Sequence, residues 1–192
     1  MRNFTPRKPI FQPQTDTCLI PLTRDHHATV DAVDVDLADV LWWAQPVLHT
    51  VYAYRKTSLV NGKQKTVLLH RVILERMLDR DLLTDEHVDH KDGNGLNNTR
   101  DNLRLATREQ NMANSRKRSD NTSGFKGVCW YEQSGKWRAY IMVGGKKMHL
   151  GYFTSKEAAY AAYCTAAEKY HGEFANDGTV QTLTVSHLTD VK

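Results

Sequence analysis

The chain has 192 residues, 40% of them hydrophobic, which suffices for one or two small domains with buried cores and argues against a disordered chain. No apolar run approaches the ~18 residues of a membrane-spanning helix, and the basic, proline-containing start lacks the apolar segment of a secretory signal. The net charge of +4 is unevenly spread: −1 over residues 1–99, +7 over 100–150 and −2 over 151–192. The basic block predicts contact with phosphate.

The cysteines indicate the redox environment. Cys18, Cys129 and Cys164 are odd in number, widely spaced and without a Cys-x-x-Cys pair. They predict free thiols in a reducing cytosol and make a structural zinc site unexpected. We therefore expect a cytoplasmic protein.

The first 86 residues predict a small α+β unit with no separate chemistry. The predicted elements are a loose polar arm at 1–17, a strand at 18–22, a helix at 34–44, strands at 51–55 and 65–69, and a helix at 70–79. The two later strands are joined by a loop whose Asn61-Gly62 pair is typical of a hairpin. This region is expected to pack around the segment that follows it.

Residues 87–111 hold the chemistry of the chain. Val88 to His90 predicts a short strand that enters a tight turn, because the Gly93-Asn94-Gly95 sequence tolerates positive φ. A helix is predicted over 100–114, capped by Thr99 or Asp101, with an inward face of leucine and alanine. The inward residues would be Leu103, Leu105 and Ala106. A hairpin folding back would bring Asn102 and Asn111 toward Asp89 and His90.

These groups suit metal-assisted hydrolysis of a phosphodiester. The Asp89 carboxylate and the Asn111 amide oxygen are hard donors that fit Mg²⁺ or Mn²⁺ better than Zn²⁺. A neutral His90 can take a proton from an attacking water. An Asp-His pair is more often structural when it stands alone. His70 is better interpreted as a packed or helix-start histidine, and His87 as a solvent-exposed turn residue.

This segment resembles the ββα-metal motif of HNH endonucleases, in particular the phage-borne homing type with Asn in the last position. The residues that carry the resemblance are, in order, Asp89-His90, Asn102-Leu103-Arg104 and Asn111. The resemblance covers roughly residues 67–115 and includes Leu69-His70-Arg71. It implies metal ligands at Asp89 and Asn111, a general base at His90, and Asn102 holding the turn and the base in place. Other branches have His where Asn111 stands, which implies a more weakly held metal. The implied nuclease region is 1–113, with its motif core at 67–113.

Residues 114–123 are polar, basic and free of large apolar side chains, which predicts a linker. Arg116, Lys117 and Arg118 within it either solubilise the chain or, more in keeping with two DNA-binding neighbours, contact phosphates. After the linker, apolar residues alternate with polar ones, which predicts a three-stranded antiparallel meander. The expected strands are 125–131, 136–143 and 146–153. A capping box at Thr154 and Glu157 then predicts an alanine-rich helix that ends near His171-Gly172.

Residues 124–176 resemble the DNA-binding domain of plant Apetala-2/ethylene-response-factor regulators. The matching segments are 124–128, 135–137, 139–141, 149–153 and 157–163. The resemblance implies a sheet that enters the major groove of DNA with outward strand residues. The corresponding positions are Lys126, Cys129, Tyr131, Tyr140, Met142, Lys147 and His149. Cys129 and Met142 stand where the plant proteins usually have Arg, so the plant target sequence does not carry over. Trp137 and Ile141 are expected to face the helix in the core, and Trp130 could lie on either face of the sheet. The tail at 177–192 has no assigned role.

The combined prediction is an α+β chain: a ββα-metal HNH nuclease followed by a three-stranded antiparallel sheet packed on one helix. It would cut double-stranded DNA as a monomer with Mg²⁺ or Mn²⁺, in the cytoplasm of a phage-infected bacterium. Arg104 and the linker and sheet positions would contact DNA. The main alternative is a DNA-binding regulator whose HNH fold has lost cleavage. An RNA-acting enzyme has no supporting feature.

Overall fold

The computed structural model describes residues 8–47, 50–58 and 62–178, and the chain divides after Asn114 into two compact units. Each unit mixes helices and sheets, as predicted. In the described part of the chain, no helix is both long and apolar enough to cross a membrane.

The first unit opens with an antiparallel sheet of β1 (Ile10–Gln12), β2 (Thr17–Pro21) and β3 (His27–Asp31), in that order. The strand expected at 18–22 is therefore present. The helix expected at 34–44 is wrong: Ala32–Asp39 forms a 3-10 helix, and a new strand follows. The 3-10 helix ends before residue 42 because the buried indole N–H of Trp42 donates to the Leu37 carbonyl at 2.7 Å. An α-helix that continued through residue 42 would not allow this hydrogen bond.

A second antiparallel sheet contains β4 (Trp43–Val47), β5 (Thr50–Lys56) and β6 (Thr66–Leu68). The two predicted strands pair as β5 and β6. The Asn61 of their predicted hairpin lies outside the described residues. Helix α1 (Leu69–Leu78) follows at once and ends at Asp79, whose φ of +52° is left-handed. The predicted helix at 70–79 is confirmed to within one residue at each end.

The motif segment folds as a hairpin and a short helix. Strand β7 (His87–His90) pairs antiparallel with β8 (Leu103–Ala106), and α2 (Arg108–Ala113) follows. The predicted helix over 100–114 is thus wrong in its first half. Leu103 and Ala106 are buried while Leu105 is exposed, because residues 103–106 take their hydrogen bonds from β7. His87 is the half-buried first residue of β7, not a turn residue.

The cap of α2 is Thr107, not Thr99 or Asp101. The Thr107 hydroxyl accepts from the Gln110 N–H at 3.2 Å, and the Gln110 side chain accepts from the Thr107 N–H at 2.8 Å. This reciprocal pair is a capping box. The Thr-x-x-Gln spacing was legible in the sequence and marks the true start of the helix.

One core joins the upstream sheets to the motif. Buried side chains of the first sheet, of α1 and of the hairpin pack in a single cluster. Its members include Ile20, Leu22, Trp42, Leu69, Ile73, Val88 and Leu103. The upstream region therefore packs around the hairpin as predicted.

The second unit is a meander of β9 (Val128–Tyr131), β10 (Lys136–Val143) and β11 (Lys146–Phe153), with helix α3 (Lys156–His171) against one face. The Thr154–Glu157 box does not form. Ser155 is the cap, its hydroxyl accepting from the Ala158 N–H at 3.1 Å. Apart from Tyr163, the buried residues of α3 are alanines, which let the helix lie close to the sheet. Gly127 has a φ of +71°, and a Cβ there would collide with the Tyr163 ring, so no other residue fits.

The segment predicted as a linker is partly built into the second unit. The buried hydroxyl of Ser123 lies within hydrogen-bond distance of the carbonyls of Val128 (2.8 Å) and Phe125 (3.0 Å), and the Asn121 amide donates to the Phe125 carbonyl at 2.8 Å. These bonds tie the end of the polar segment to the start of β9. The tail beyond residue 178, including its β-prone stretch, lies outside the described residues.

Candidate functional site

Strand β7 places Asp89 and His90 side by side in the interior of the first unit. They are 3% and 5% exposed. Neighbouring residues of a strand point to opposite faces, so each side chain has its own set of contacts. The register sets Asp89 opposite Arg104 and His90 opposite Leu103.

The Asp89 carboxylate is held by two donors. The Arg104 guanidinium contacts Oδ2 through Nε at 2.8 Å and a terminal nitrogen at 2.7 Å. The Asn114 amide donates to Oδ1 at 2.9 Å and to Oδ2 at 3.1 Å, and also to the His90 carbonyl at 2.8 Å. Arg104 was predicted to contact DNA. The structure places its guanidinium on Asp89, where its positive charge balances the buried carboxylate, and a contact of Arg104 with DNA stays a prediction.

Asn114 is one residue of this site that sequence reasoning missed. Asn111, the predicted metal ligand, is half-buried on α2, and among the described residues its side chain has no hydrogen-bond partner. Asn114 follows three residues later, and such a pair lies on one face of a helix. The Asn-x-x-Asn spacing at 111–114 was the available signal for a second amide on this face.

His90 lies among two other rings and one amide. Its Nε2 is 3.3 Å from the Asn98 Oδ1, and its ring centroid is 5.8 Å from that of Tyr52 and 5.1 Å from that of His70. Burial is the main reason that the pKa of His90 lies below its ordinary value. The imidazole is therefore neutral near pH 7, as a general base must be.

Asn102 holds the turn, and none of the hydrogen bonds of its side chain among the described residues goes to the His90 ring. Its side-chain oxygen accepts from the Asp92 N–H at 3.1 Å, and its amide donates to the Asp92 carboxylate at 3.0 Å and to the Asn97 carbonyl at 2.7 Å. The predicted role in the turn agrees with these bonds. The predicted hold on the base is not direct, since the amide next to His90 belongs to Asn98.

His70 is packed in the helix start, as interpreted from the sequence. It is the second residue of α1, and its ring lies edge-on to Tyr52, with centroids 5.2 Å apart. Within the described chain its Nδ1 has no hydrogen-bond partner. Burial, with smaller contributions from His90 and Arg71, lowers the pKa of His70 to about 3.

This lowered pKa predicts an acid-sensitive first unit. Between about pH 6.5 and 3 the unfolded chain binds a proton at His70 that the folded chain does not, so stability falls as the pH drops through that window. From pH 7 to pH 5 the loss is roughly 2 kcal/mol for this one group. Denaturant unfolding at both pH values should show His70→Phe, which keeps a packed ring, losing about that much less than the wild type. Equal losses would contradict the prediction.

Comparison with known proteins bears on this site. A family model described as HNH endonuclease matches residues 67–113. The chain is 38% identical over 89 residues to Protein 3.8 of Escherichia phage T7, covering 46% of this chain and 73% of that protein. The chain belongs to the HNH endonuclease family. Membership implies a nuclease that acts on DNA, and HNH nucleases typically use divalent metals.

Two further relatives match different lengths of this HNH protein. It is 36% identical over 107 residues to Uncharacterized HNH endonuclease L560 of Acanthamoeba polyphaga mimivirus, covering 56% of this chain and 54% of that protein. It is also 39% identical over 51 residues to the AP2-like ethylene-responsive transcription factor TOE2 of Arabidopsis thaliana, covering 27% of this chain and 10% of that protein. The chain thus spans about half of the mimivirus protein and a small part of the plant one.

The donor set of the HNH hairpin fits a hard divalent cation. Asp89 offers a carboxylate and Asn111 an amide oxygen that no described residue engages. Across the described ranges, no group of three His, Cys, Asp or Glu side chains is placed to hold a metal. Two oxygen ligands are enough for Mg²⁺, which keeps several waters. A cation at Oδ2 of Asp89 would compete with the Arg104 guanidinium that the structure places there.

The second unit presents an aromatic and basic sheet face opposite α3. Arg138 lies at its centre, 5.2 Å from the ring of Tyr131 and 6.0 Å from that of Tyr140. Lys147 lies 4.5 Å over the Tyr140 ring, and His149 packs on Tyr152 at 4.6 Å. We call these six residues the outer sheet face. Tyr131, Tyr140, Lys147 and His149 were predicted for it, whereas Arg138 and Tyr152 were not.

The other basic residues predicted to contact DNA lie outside the outer sheet face. The Lys126 ammonium donates to the Ser115 carbonyl, 2.6 Å away, and burial lowers its pKa to about 8, so Lys126 is not on the outer sheet face. Lys117 donates to the Gly124 carbonyl at 3.0 Å, and Arg118 pairs with Asp120 at 2.9 Å. These two and Arg116 are exposed.

The apolar residues of the second unit lie as expected. Trp137 and Ile141 pack in the core, and Trp130 lies edge-on to Trp137 while remaining 47% exposed.

Proposed function

We propose that this chain is a DNA endonuclease of the homing type, which hydrolyses phosphodiester bonds with one divalent metal and binds its site through the outer sheet face. The observation that carries the proposal is the buried pair on β7, a neutral His90 beside the Asp89 carboxylate. Adjacent residues of one strand thus offer a neutral imidazole that can accept a proton and a carboxylate that can bind a cation. That combination is what phosphodiester hydrolysis requires.

His90 acts as the general base. It takes a proton from water while the water oxygen forms a bond to phosphorus and the bond from phosphorus to the leaving sugar oxygen breaks. A base of this kind contributes about 10²–10⁴-fold in rate. Asp89 and Asn111 would hold Mg²⁺ or Mn²⁺, and the bound ion would stabilise the charge developing on the phosphate and on the leaving oxygen. Asn102 contributes indirectly, by fixing the turn after His90 through Asp92.

The outer sheet face supports site binding by the second unit. Arg138 and Lys147 supply positive charge, and the tyrosines and His149 supply flat, polar-edged surface beside it. Such a face suits phosphate and base-edge contacts to double-stranded DNA. Because a T7 protein is among the relatives, we propose that the chain acts in the cytoplasm of a phage-infected bacterium. We also propose that it acts as a monomer.

One observation favours the alternative of a DNA-binding regulator that does not cut. Arg104 and Asn114 already engage both oxygens of Asp89. A single experiment decides between the two functions: incubate the full chain with phage or host DNA in Mg²⁺, in Mn²⁺ and in EDTA, and map any breaks. The endonuclease predicts breaks with metal and none in chelator. Binding without breaks under every condition identifies the regulator.

The salt dependence of binding tests the outer sheet face. Each neutralised phosphate adds about 0.9 to the slope of log K against log salt. Replacing Arg138 and Lys147 by alanine should therefore flatten the slope by about 2, if each contacts one phosphate. Lys169→Ala, an exposed lysine on α3, is the matched control and should leave the slope unchanged. An unchanged slope in the double variant would assign DNA binding to other residues, with the exposed Arg116, Lys117 and Arg118 next to be tested.

A further inference from the structure

The two nitrogens of the His90 imidazole have different surroundings. Nε2 lies 3.3 Å from the Asn98 Oδ1, whereas no described residue donates to or accepts from Nδ1. Asn98 is 0% exposed, and its own Nδ2 has no hydrogen-bond partner within the described ranges. With the Asn98 amide oriented this way, its oxygen, which only accepts, pairs with a proton on Nε2. The lone pair is then on Nδ1.

Asn98 is held by a strand outside the matched motif. Thr29 of β3 donates its N–H to the Leu96 carbonyl at 2.8 Å, and its carbonyl accepts from the Asn98 N–H at 2.8 Å. The two bonds make a short parallel bridge between Thr29 and Asn97. The loop that carries Asn98 is therefore joined to the edge of the N-terminal sheet by one isolated bridge, and its backbone position is set by β3.

An ion-pair network fixes the loop just after Asn98. The Arg100 N–H donates to the Asp31 carboxylate at 2.6 Å, and the Arg100 guanidinium contacts both oxygens of Asp34, at 2.8 and 3.0 Å. Asp34 is fully buried and also receives Arg76 at 3.1 Å. A buried carboxylate loses heavily if one partner is removed, so this network holds the loop firmly.

The loop is fixed a third time at its start. The Gly95 N–H donates to the Thr50 hydroxyl at 2.8 Å, and a Cβ on Gly95 would lie 2.6 Å from the Tyr52 ring and from the Val51 carbonyl. The same Tyr52 ring contacts His90. Contacts on both sides of Asn98 thus fix the backbone from which its side chain reaches the imidazole.

We propose that Asn98 is a positioning residue for His90. Its side-chain oxygen accepts the Nε2 proton, which orients the ring and reserves Nδ1 for the proton of the attacking water, while β3 and the Arg100–Asp34 pair hold Asn98 in place. The inference rests on the proposed function of His90 as general base. It gives the N-terminal sheet a part in catalysis, although that sheet lies outside the residues matched by the family model.

The first test reads the tautomer directly in the full, metal-free chain. Nitrogen-15 spectra of histidine-labelled protein distinguish a protonated from an unprotonated ring nitrogen, and the His90 signals are those lost in His90→Phe. The expected result is a neutral ring protonated at Nε2. A ring protonated at Nδ1 overturns the proposal, because the Asn98 amide would then face His90 with its NH₂ group. This measurement needs no active enzyme, so it stands whether or not the chain cuts DNA.

The second test compares variants of the same loop. Asn98→Leu should lose the single tautomer and slow single-turnover cleavage by about 10²-fold at unchanged DNA affinity. Asn98→Asp keeps an acceptor oxygen and should retain the Nε2–H form and most of the rate. Asp101→Asn, at an exposed position just after the loop, should change neither. Wild-type spectra and rate in Asn98→Leu overturn the proposal. If that variant does not fold, loss of the Nε2–H form in Asn98→Asp does so instead.

Discussion

Replacing His90 by phenylalanine should lower the rate of DNA cleavage by about 10²–10⁴-fold while the affinity for DNA stays unchanged. The substitution keeps a ring against Tyr52 and His70 and removes the nitrogen that would take the proton from water. Single-turnover cleavage at saturating protein measures the rate, and binding in EDTA measures the affinity. His87→Phe, at the half-buried start of the same strand, is the control and should cut normally. A His90→Phe protein that cuts near the wild-type rate would rule out His90 as the base.

Replacing Asp89 by alanine should abolish metal-dependent cleavage and also destabilise the first unit by about 3–5 kcal/mol. The second effect arises because the substitution removes one partner of a largely buried ion pair, that between Asp89 and Arg104. Cleavage with graded Mg²⁺ and denaturant unfolding measure the two effects separately. Asp120→Ala removes the partner of Arg118 from an exposed pair, so its unfolding should match that of the wild type.

Asn111→Ala separates the metal role from the structural one. Its side chain has no partner in the described part of the chain, so the variant should unfold like the wild type yet need more Mg²⁺ for the same rate. An Asn111→Ala protein with an unchanged Mg²⁺ requirement would remove Asn111 from the cation site. Asn114 would then be the amide to examine on this face of α2.

The sequence predicted the strand that carries Asp89 and His90, the turn after it and the meander of the second unit. It failed between residues 100 and 107. Leu103, Leu105 and Ala106 fit a helical face about as well as a strand, and only the pairing with β7 decides for the strand. Short apolar runs have this ambiguity. The Thr107–Gln110 capping box was the local signal that placed the helix later.

The site was predictable in its residue types and less so in its contacts. Asp89 and His90 adjoin in the sequence, so their proximity needed no fold. The tertiary structure decides which amide contacts which group. The Asn114 amide contacts Asp89, the Asn98 amide contacts His90, and the Asn102 amide contacts Asp92. Four asparagines within 97–111 are alike to sequence reasoning. Lys126 shows the same limit, since a basic residue at the edge of a sheet can point to solvent or to a nearby carbonyl.

The anchoring of the 95–100 loop on β3 and Asp34 bears on how such a nuclease can be rebuilt. The motif core at 67–113 holds the hairpin and α2, yet Thr29, Asp31 and Asp34 that restrain its loop lie well upstream. A graft of the core alone into another scaffold would expose Arg100 to water and release Asn98. The smallest transplantable piece of this protein therefore starts no later than β3, and chimeras should be joined before that strand.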